Sequence, residues 1–500
     1  MIRRLLTAFA LALVAAQPAL AVPVSLTILH TNDMHSHLVP YDYKGLKSIG
    51  GVAREATLVE RIESQEPGRV LLLDAGDVFQ GTPIFNFFHG KVEYDAFDAL
   101  GYAATTVGNH DLDDGLANLE LQDRDRHFLL INSNLVDPRT GKYLFTPYHL
   151  FARGGVKIGV FGVLGDQGPD DAWAAVAKVN QRGMKILDPV TVARQMAKEL
   201  RAKGADVVVL LSHCGFVEDK ALAARVKGID LIVGGHSHTE VDSPVAVRDG
   251  SWTTYVTQAA CYDRFLGRVD LTVDHGRLVK EGGYLIPIAG DTPADAKVAA
   301  LIAPYEARIA ARMDTVIGQA PQGLSVAGAW QGDSQLGDWA ADLLRKGTHS
   351  EIAMINAGGL RAAISPGPVS VGDIFTVFPF DDRVVTLDMA GSLIQRQLDA
   401  VAAHKASMLD VSGMTFAVAD GRATDIKVAG RPLEPSQLYT VTTVDYLAEG
   451  NDHYTFFPLA KSKKDDGMIL RDAIIRGIRR HPEIVPPQLD RIDNAPTAAR

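Results

Sequence analysis

Two cysteines in 500 residues leave the chain almost without means to staple itself, so its stability has to come from buried core rather than from disulfides. For Cys214 and Cys261 two readings stay open, one pair or two buried thiols. An excess of positive charge is lacking as well. Lys and Arg number 50 against 60 Asp and Glu, a formal net charge of -10, which excludes a protein that lives by gripping nucleic-acid backbone or an anionic membrane face. A local pocket can still be positive, so a small anionic ligand remains compatible with this balance. Beyond the first residues no uncharged stretch reaches the roughly 20 residues of a membrane-spanning helix, and there is no internal repeat or low-complexity tract. What is present is ordinary for a globular chain, 47% hydrophobic and 22% charged, and its length predicts two or three domains.

Residues 1–21 read as a leader. A positive start at Met1-Ile2-Arg3-Arg4 precedes a short apolar run from Leu5 to Ala16 and a small-x-small Ala19-Leu20-Ala21, the pattern of a secretory signal peptide, with an uncleaved anchor as the alternative. A signal peptide implies a periplasmic or secreted protein. From Val22 to about Gly290, apolar β-branched runs alternate with amphipathic stretches, the rhythm of an α/β layer fold. Strands are predicted at 25–31, 70–74, 104–107, 157–163, 207–212, 231–233 and 253–257, and helices at 51–63, 94–100 and 189–203. Residues 291–313 form an Ala-rich helix that either joins two domains through solvent or packs on the first. After Gly318 the pattern restarts, with strands at 352–355, 384–389 and 439–443 and helices at 335–346 and 391–402, a second α/β unit of ordinary domain size.

Five of the predicted strands run directly into ligand-rich loops. They end in Asn32-Asp33-Met34-His35, in Ala75-Gly76-Asp77, in Gly108-Asn109-His110-Asp111, in His213, and in Gly234-Gly235-His236-Ser237-His238. Each polar group sits just past the carboxyl end of a strand, where an open α/β sheet builds its site, and the recurrence places all five on one edge of one sheet. Any one of these loops alone is more simply a turn or a cap. Five together favour metal. Carboxylate, imidazole and amide oxygen suit zinc, manganese, iron or cobalt rather than a thiolate site. Seven side chains exceed one tetrahedral ion and suit two ions about 3.5 to 4 Å apart sharing a carboxylate, the arrangement that clamps an in-line displacement at phosphorus.

These stretches resemble the secreted bacterial 5′-nucleotidase family, two-domain calcineurin-like metallophosphoesterases. The matching runs are Leu-His-Thr-Asn-Asp-Met-His (29–35), Gly-Asp-Val-Phe-Gln-Gly-Thr-Pro (76–83), Gly-Asn-His-Asp-Leu-Asp (108–113), Ser-His-Cys-Gly (212–215) and Gly-Gly-His-Ser-His (234–238). The resemblance implies an N-terminal metallophosphoesterase sheet-and-helix sandwich over 22–290, a linker helix over 291–317 and a smaller C-terminal α/β nucleotide-binding domain over 318–500. It implies that Asp33, His35 and His238 hold one divalent ion, that Asn109, His213 and His236 hold another (zinc, manganese or cobalt), and that Asp77 bridges them. A metal-bound hydroxide would attack phosphorus, and His110, oriented by Asp113, would stabilise the phosphoryl charge or protonate the leaving oxygen. The family usually has Glu and Phe where this chain has Asp111 and Leu112, changes that spare the dyad.

In the second unit, Asn356-Ala-Gly-Gly-Leu-Arg361 resembles the family's phosphate-binding segment, which assigns Asn356 and Arg361 to substrate. Phe378-Pro379-Phe380 and the run Asp445 to Asp452 resemble the segments that hold the nucleoside, which assigns Phe380 and Tyr446 to base stacking and Asp452 to ribose hydroxyls. The bland alternative for the aromatics is core packing. One departure stands out: where relatives place a further substrate-binding Arg, this chain reads Ala329-Trp330-Gln331-Gly332-Asp333-Ser334-Gln335, with no cation; of two readings for Trp330, an added stacking or shaping surface and burial under the linker, burial is the expected one. The implied activity is hydrolysis of nucleoside 5′-monophosphates, with diphosphates or nucleotide sugars as extensions. A 2′,3′-cyclic-nucleotide 2′-phosphodiesterase with 3′-nucleotidase activity, a sulfur-oxidation thiosulfohydrolase and a non-catalytic nucleotide binder are the alternatives. A small nucleotide is the implied partner, with no nucleic-acid polymer and no integral membrane segment.

Overall fold

The computed structural model describes residues 23–43, 45–165 and 184–494, so the leader read at 1–21 lies outside the described residues. The first unit is built on two six-stranded sheets. One runs, in spatial order, Arg277–Pro287, Phe265–Asp274, Val24–Thr31, Val70–Asp74, Ala104–Thr105 and Leu129–Leu130. The other runs Val245–Asp249, Trp252–Thr257, Leu231–Gly234, Val207–His213, Val156–Leu164 and Tyr148–Arg153. The central strands of each sheet are parallel and apolar on both faces, because both faces are covered. Side chains alternate accordingly. Leu26, Ile28, Leu71, Leu73, Val207, Val209 and Leu211 meet in a core between the sheets. Leu29, Val70 and Leu72 face the helices Val52–Gln65 and Lys91–Leu100 on one outside, and Val208 and Leu210 face the helix Pro189–Ala202 on the other.

That arrangement corrects one expectation. The five ligand-bearing strand ends do not share a sheet: Val24–Thr31, Val70–Asp74 and Ala104–Thr105 belong to one, Val207–His213 and Leu231–Gly234 to the other. Parallel order within each sheet points their carboxyl ends the same way, and packing face to face brings the two rims together.

The helix Ala296–Met313 starts at an Asp295 cap that accepts from Lys297 N and Val298 N, and it buries Val298 and Ile302 against the helices of the first unit. Of the two readings of this segment, packing on the first unit is the observed one. The chain then enters a mixed α/β unit. Its five-stranded sheet has the order Leu409–Ser412, Ile352–Asn356, Leu438–Val444, Arg383–Ala390, Ser462–Ile469, covered by the helices Gln335–Thr348, Gly391–Ala402 and Leu470–Arg480. The units touch directly, with Asn86 Nδ2 donating to Asp381 Oδ2 at 2.7 Å and Phe87 stacked on Phe375 with ring centroids 5.7 Å apart. Cys214 and Cys261 are both buried and are not joined by a disulfide. Among the described residues no helix is long and apolar enough to cross a membrane.

Candidate metal centre and adjoining pocket

The loops at the joined rims are locked to one another by backbone before any side chain acts. Asp33 N donates to Gly76 O, His35 N to Asp77 O and Ser36 N to Val78 O, at 2.9 to 3.0 Å. Five of the expected ligand residues take left-handed backbone: Asp33 (φ 50), His35 (φ 48), Asp77 (φ 55), His236 (φ 76) and His238 (φ 53). Asp and His tolerate that region better than most residues, but each still carries a strain of order 1 kcal/mol that the surroundings must enforce. Strain of this kind concentrates where geometry matters more than stability.

The side chains gather into two groups, Asp33 with His35 and His238, and Asp77 with His213 and His236, the ligand atoms of each lying within 4.8 Å of one another. Asp77 joins them: its Oδ2 is 3.1 Å from His213 Nε2 and 3.7 Å from His35 Nε2. Asn109 Oδ1 lies 2.9 Å from His236 Nδ1. His213 Nδ1 meets the Ala75 carbonyl at 2.7 Å, which fixes the ring and leaves Nε2 buried with no hydrogen-bond partner among the described residues. A buried lone pair facing a carboxylate oxygen repels it unless a cation or a proton lies between. Burial alone would lower His213, but the Asp77 and Asp33 carboxylates push it up to about 10, and His238, also opposed by burial, is carried to about 10 by its bond to Asp33. His35 and His236 are held down to about 4 by burial, which keeps them neutral with lone pairs available. Such a site demands positive charge, and divalent ions fit its oxygen and nitrogen donors.

Close approach explains two glycines. A Cβ on Gly108 would stand 2.2 Å from Asp77 Oδ1, and one on Gly235 would stand 2.9 Å from His213 Nδ1. His110 donates its backbone N–H to Asp77 Oδ1 at 2.8 Å, and its Nδ1 lies 2.8 Å from Asp113 Oδ2. Its ring stands 5.3 Å from that of His35.

The second unit contributes an adjoining pocket. Asn356, at the end of Ile352–Asn356, donates from Nδ2 to Asp452 Oδ2 at 2.7 Å, and Tyr446 donates its hydroxyl to Asp452 Oδ1 at 3.1 Å. Arg361 is exposed, donates to Gly358 O at 3.3 Å and stands 6.0 Å from the Phe380 ring centroid. Phe380 and Tyr446 are half-buried, whereas Phe378 takes the core position. Arg361 also reaches towards the first unit. Burial pushes Tyr262 up to about 12, the Arg361 guanidinium pulls it back, and the Tyr262 ring lies 5.4 Å from His238.

Two supporting residues went unread in the sequence. Asp111 accepts four backbone N–H groups from the loops that carry Asp77 and Asn109. Arg471, 2% exposed, donates to the carbonyls of Phe378 and Phe380 and so pins the segment bearing Phe380. Arg471 carries no local motif, and Asp111 stands in the run 108–113 without its side chain being assigned a role there. Trp330 corrects a second expectation: it is 59% exposed rather than buried under the linker helix, which buries Val298 and Ile302 on the first unit instead.

Comparison with known proteins follows the same division. Residues 26–240 match the calcineurin-like phosphoesterase family, and residues 316–459 match the 5′-nucleotidase C-terminal domain. Protein UshA of Yersinia enterocolitica is 28% identical, with 91% of each chain covered. A 5′-nucleotidase of Vibrio cholerae is 27% identical over 86% of this chain and 85% of its own. The crystal structure of a 5′-nucleotidase precursor from Thermus thermophilus superposes with a TM-score of 0.72 at 29% identity, covering 94% of this chain and 99% of that one.

Proposed function

We propose, for a chain that belongs to the two-domain 5′-nucleotidase family of calcineurin-like phosphoesterases, that it hydrolyses nucleoside 5′-monophosphates to nucleoside and phosphate at a two-metal centre, in the periplasm or outside the cell. The chain is a metal-dependent phosphoester hydrolase, and the substrate, the count of ions and the residue roles are the finer reading. The observation that carries it is the Asp77 carboxylate standing between two ligand groups beside a His110–Asp113 pair. Asp33, His35 and His238 would hold one divalent ion and Asn109, His213 and His236 the other, with Asp77 shared; zinc, manganese or cobalt would fit. Ions bound there supply Lewis-acid polarisation of the phosphoryl group and a bound water acidic enough to ionise near neutral pH.

The remaining work falls to side chains. Arg361 places a guanidinium on the phosphate, where its fork geometry suits two oxygens. Phe380 and Tyr446 offer ring faces to the base, and Asp452, steadied by Asn356 and Tyr446, accepts from ribose hydroxyls. Asp113 Oδ2 orients His110 by accepting from Nδ1, so that in the doubly protonated ring Nε2–H donates to a phosphoryl oxygen or to the departing 5′ oxygen. The division proposed is 22–290 for the metal-holding domain, 291–317 for the linker and 318–500 for the substrate-holding domain, after a leader at 1–21.

The test is a substrate panel on protein reconstituted in turn with zinc, manganese and cobalt, comparing 5′-AMP, 3′-AMP, 2′,3′-cyclic AMP and UDP-glucose. A clear excess in kcat/KM for 5′-AMP is expected. Faster turnover of 3′-AMP or of the cyclic nucleotide would replace this reading with the phosphodiesterase one.

A further inference from the structure

An indole left 59% exposed forgoes most of the burial that tryptophan usually takes. Trp330 is nevertheless not on a loose loop. Gln331 N and Gly332 N both donate to Gly328 O at 2.7 and 2.8 Å, Ala329 beside it is 1% exposed, and Ser325 N donates to Gln335 Oε1 at 3.1 Å. The fold therefore presents this side chain on a braced turn. Its ring tip reaches the pocket: a Cβ placed on Gly358 would lie 3.3 Å from Asn356 Nδ2, 3.5 Å from Asp452 Oδ2 and 3.9 Å from Trp330 Cη2. An amide donor, a carboxylate acceptor and the rim of an indole thus converge on one glycine. That trio suits a sugar, whose hydroxyls take the amide and carboxylate while its C–H face packs on the ring. The segment 329–335 carries no Lys or Arg, so this corner offers apolar surface rather than charge to a phosphate.

We propose that Trp330 is a specificity-determining contact of the nucleoside, its indole packing on the ribose that Asn356 and Asp452 hold; this rests on the nucleotide reading above. Because ribose is common to all substrates, the contribution is the same for every base. Asn356, Asp452 and Trp330 together would then favour a ribosylated phosphate ester over one lacking the sugar.

Steady-state kinetics of wild type, Trp330→Ala and Trp330→Phe with 5′-AMP, 5′-CMP and glycerol 3-phosphate test this, together with a titration of intrinsic fluorescence by adenosine. Trp330→Ala is expected to raise KM for both nucleotides about tenfold more than for glycerol 3-phosphate while kcat is kept. Trp330→Phe should recover most of the loss, which rules out a folding defect. Adenosine should quench wild-type fluorescence, and the quench should vanish in Trp330→Phe although the other three tryptophans remain. Unchanged nucleotide KM in Trp330→Ala, with a quench that survives in Trp330→Phe, would overturn the proposal, and a KM rise confined to one base would overturn the ribose placement. Wild type that turns over neither nucleotide faster than glycerol 3-phosphate, yet is quenched by adenosine through Trp330, would leave the contact standing and sink the substrate reading instead.

Discussion

Asp111 is not among the expected ligands, yet its oxygens take the N–H groups of Asp77, Val78, Phe79 and Gly108 at 2.7 to 3.1 Å. One carboxylate thereby sets the spacing of two loops that carry Asp77 and Asn109. Asp111→Ala strands buried donors, and urea unfolding should show a loss of about 3 kcal/mol or more, with turnover abolished. Asp111→Asn keeps one acceptor oxygen and should fall between; wild-type stability in the alanine variant would refute the bracing role. A second buried acid acts through protons. Glu55 accepts from the Tyr102 hydroxyl at 2.6 Å and faces Asp74 and Asp263; burial pushes it up to about 8, against the pull of Tyr102. Unfolded, its carboxyl ionises near 4.5. Between those values the folded chain holds the extra proton, so stability falls as pH rises across that window, by up to about 1.4 kcal/mol per pH unit for this group. Asp74 and Asp263 are raised by burial too and add slope of the same sign. Glu55→Gln, which cannot ionise, should flatten the decline measured by urea melts between about pH 5.5 and about pH 7.5, and an unchanged slope would count against a protonated Glu55.

Elements were legible in the sequence where their signal is local. Val70–Asp74 and Gly391–Ala402 have the bounds expected of them, the first an apolar run stopped by Gly76, the second an amphipathic stretch. Val207–His213 and Leu231–Gly234 differ by one residue each. The long hairpin of Phe265–Asp274 and Arg277–Pro287 was not foreseen, because Arg268, Asp270, Glu281 and paired glycines interrupt its apolar pattern and its order comes from pairing with Val24–Thr31, 243 residues away for the contact of Thr27 with Asp270. The split of the ligand-bearing strands between two sheets was illegible for the same reason: which strands pair is a non-local choice. The site itself was easier to read, since each of its residues follows its strand within a few positions and chemistry alone marks His236 and His238. At this scale the decisive feature is how tightly strand ends meet. Gly108→Ala puts a methyl group 2.2 Å from Asp77 Oδ1, so either the loop after Ala104–Thr105 or the Asp77 carboxylate must shift. Turnover should fall at least about a hundredfold, as expected for a displacement near 1 Å at a reacting centre, with a far smaller loss of stability. Near-normal kcat/KM in that variant would mean that Asp77 tolerates movement and does not join the two groups.

The whole molecule keeps its cores apart. Every buried cluster of the first unit draws on residues up to Ile302, and the cluster of the second begins at Ile317; the direct links include Asn86 to Asp381 and Phe87 to Phe375. Two cores that share no buried cluster among the described residues should unfold as two cooperative units rather than one. All the candidate metal ligands lie in the first, where Asp33 and Asp77 are buried among imidazoles and gain from any cation held between them. A ligand that binds only the folded state stabilises it by about 2.7 kcal/mol when present at about 100 times its dissociation constant. For a domain of this size that corresponds to a shift of roughly 5 to 10 °C in the midpoint. Differential scanning calorimetry with and without a chelator should therefore show two transitions, one falling by that amount as metal is withdrawn and the other fixed, while adenosine should raise only the one that chelation spares. Chelation that moves neither transition would place no tightly held ion among Asp33, Asp77 and the four histidines, and chelation that moves both equally would show that the seam transmits as much energy as a shared core.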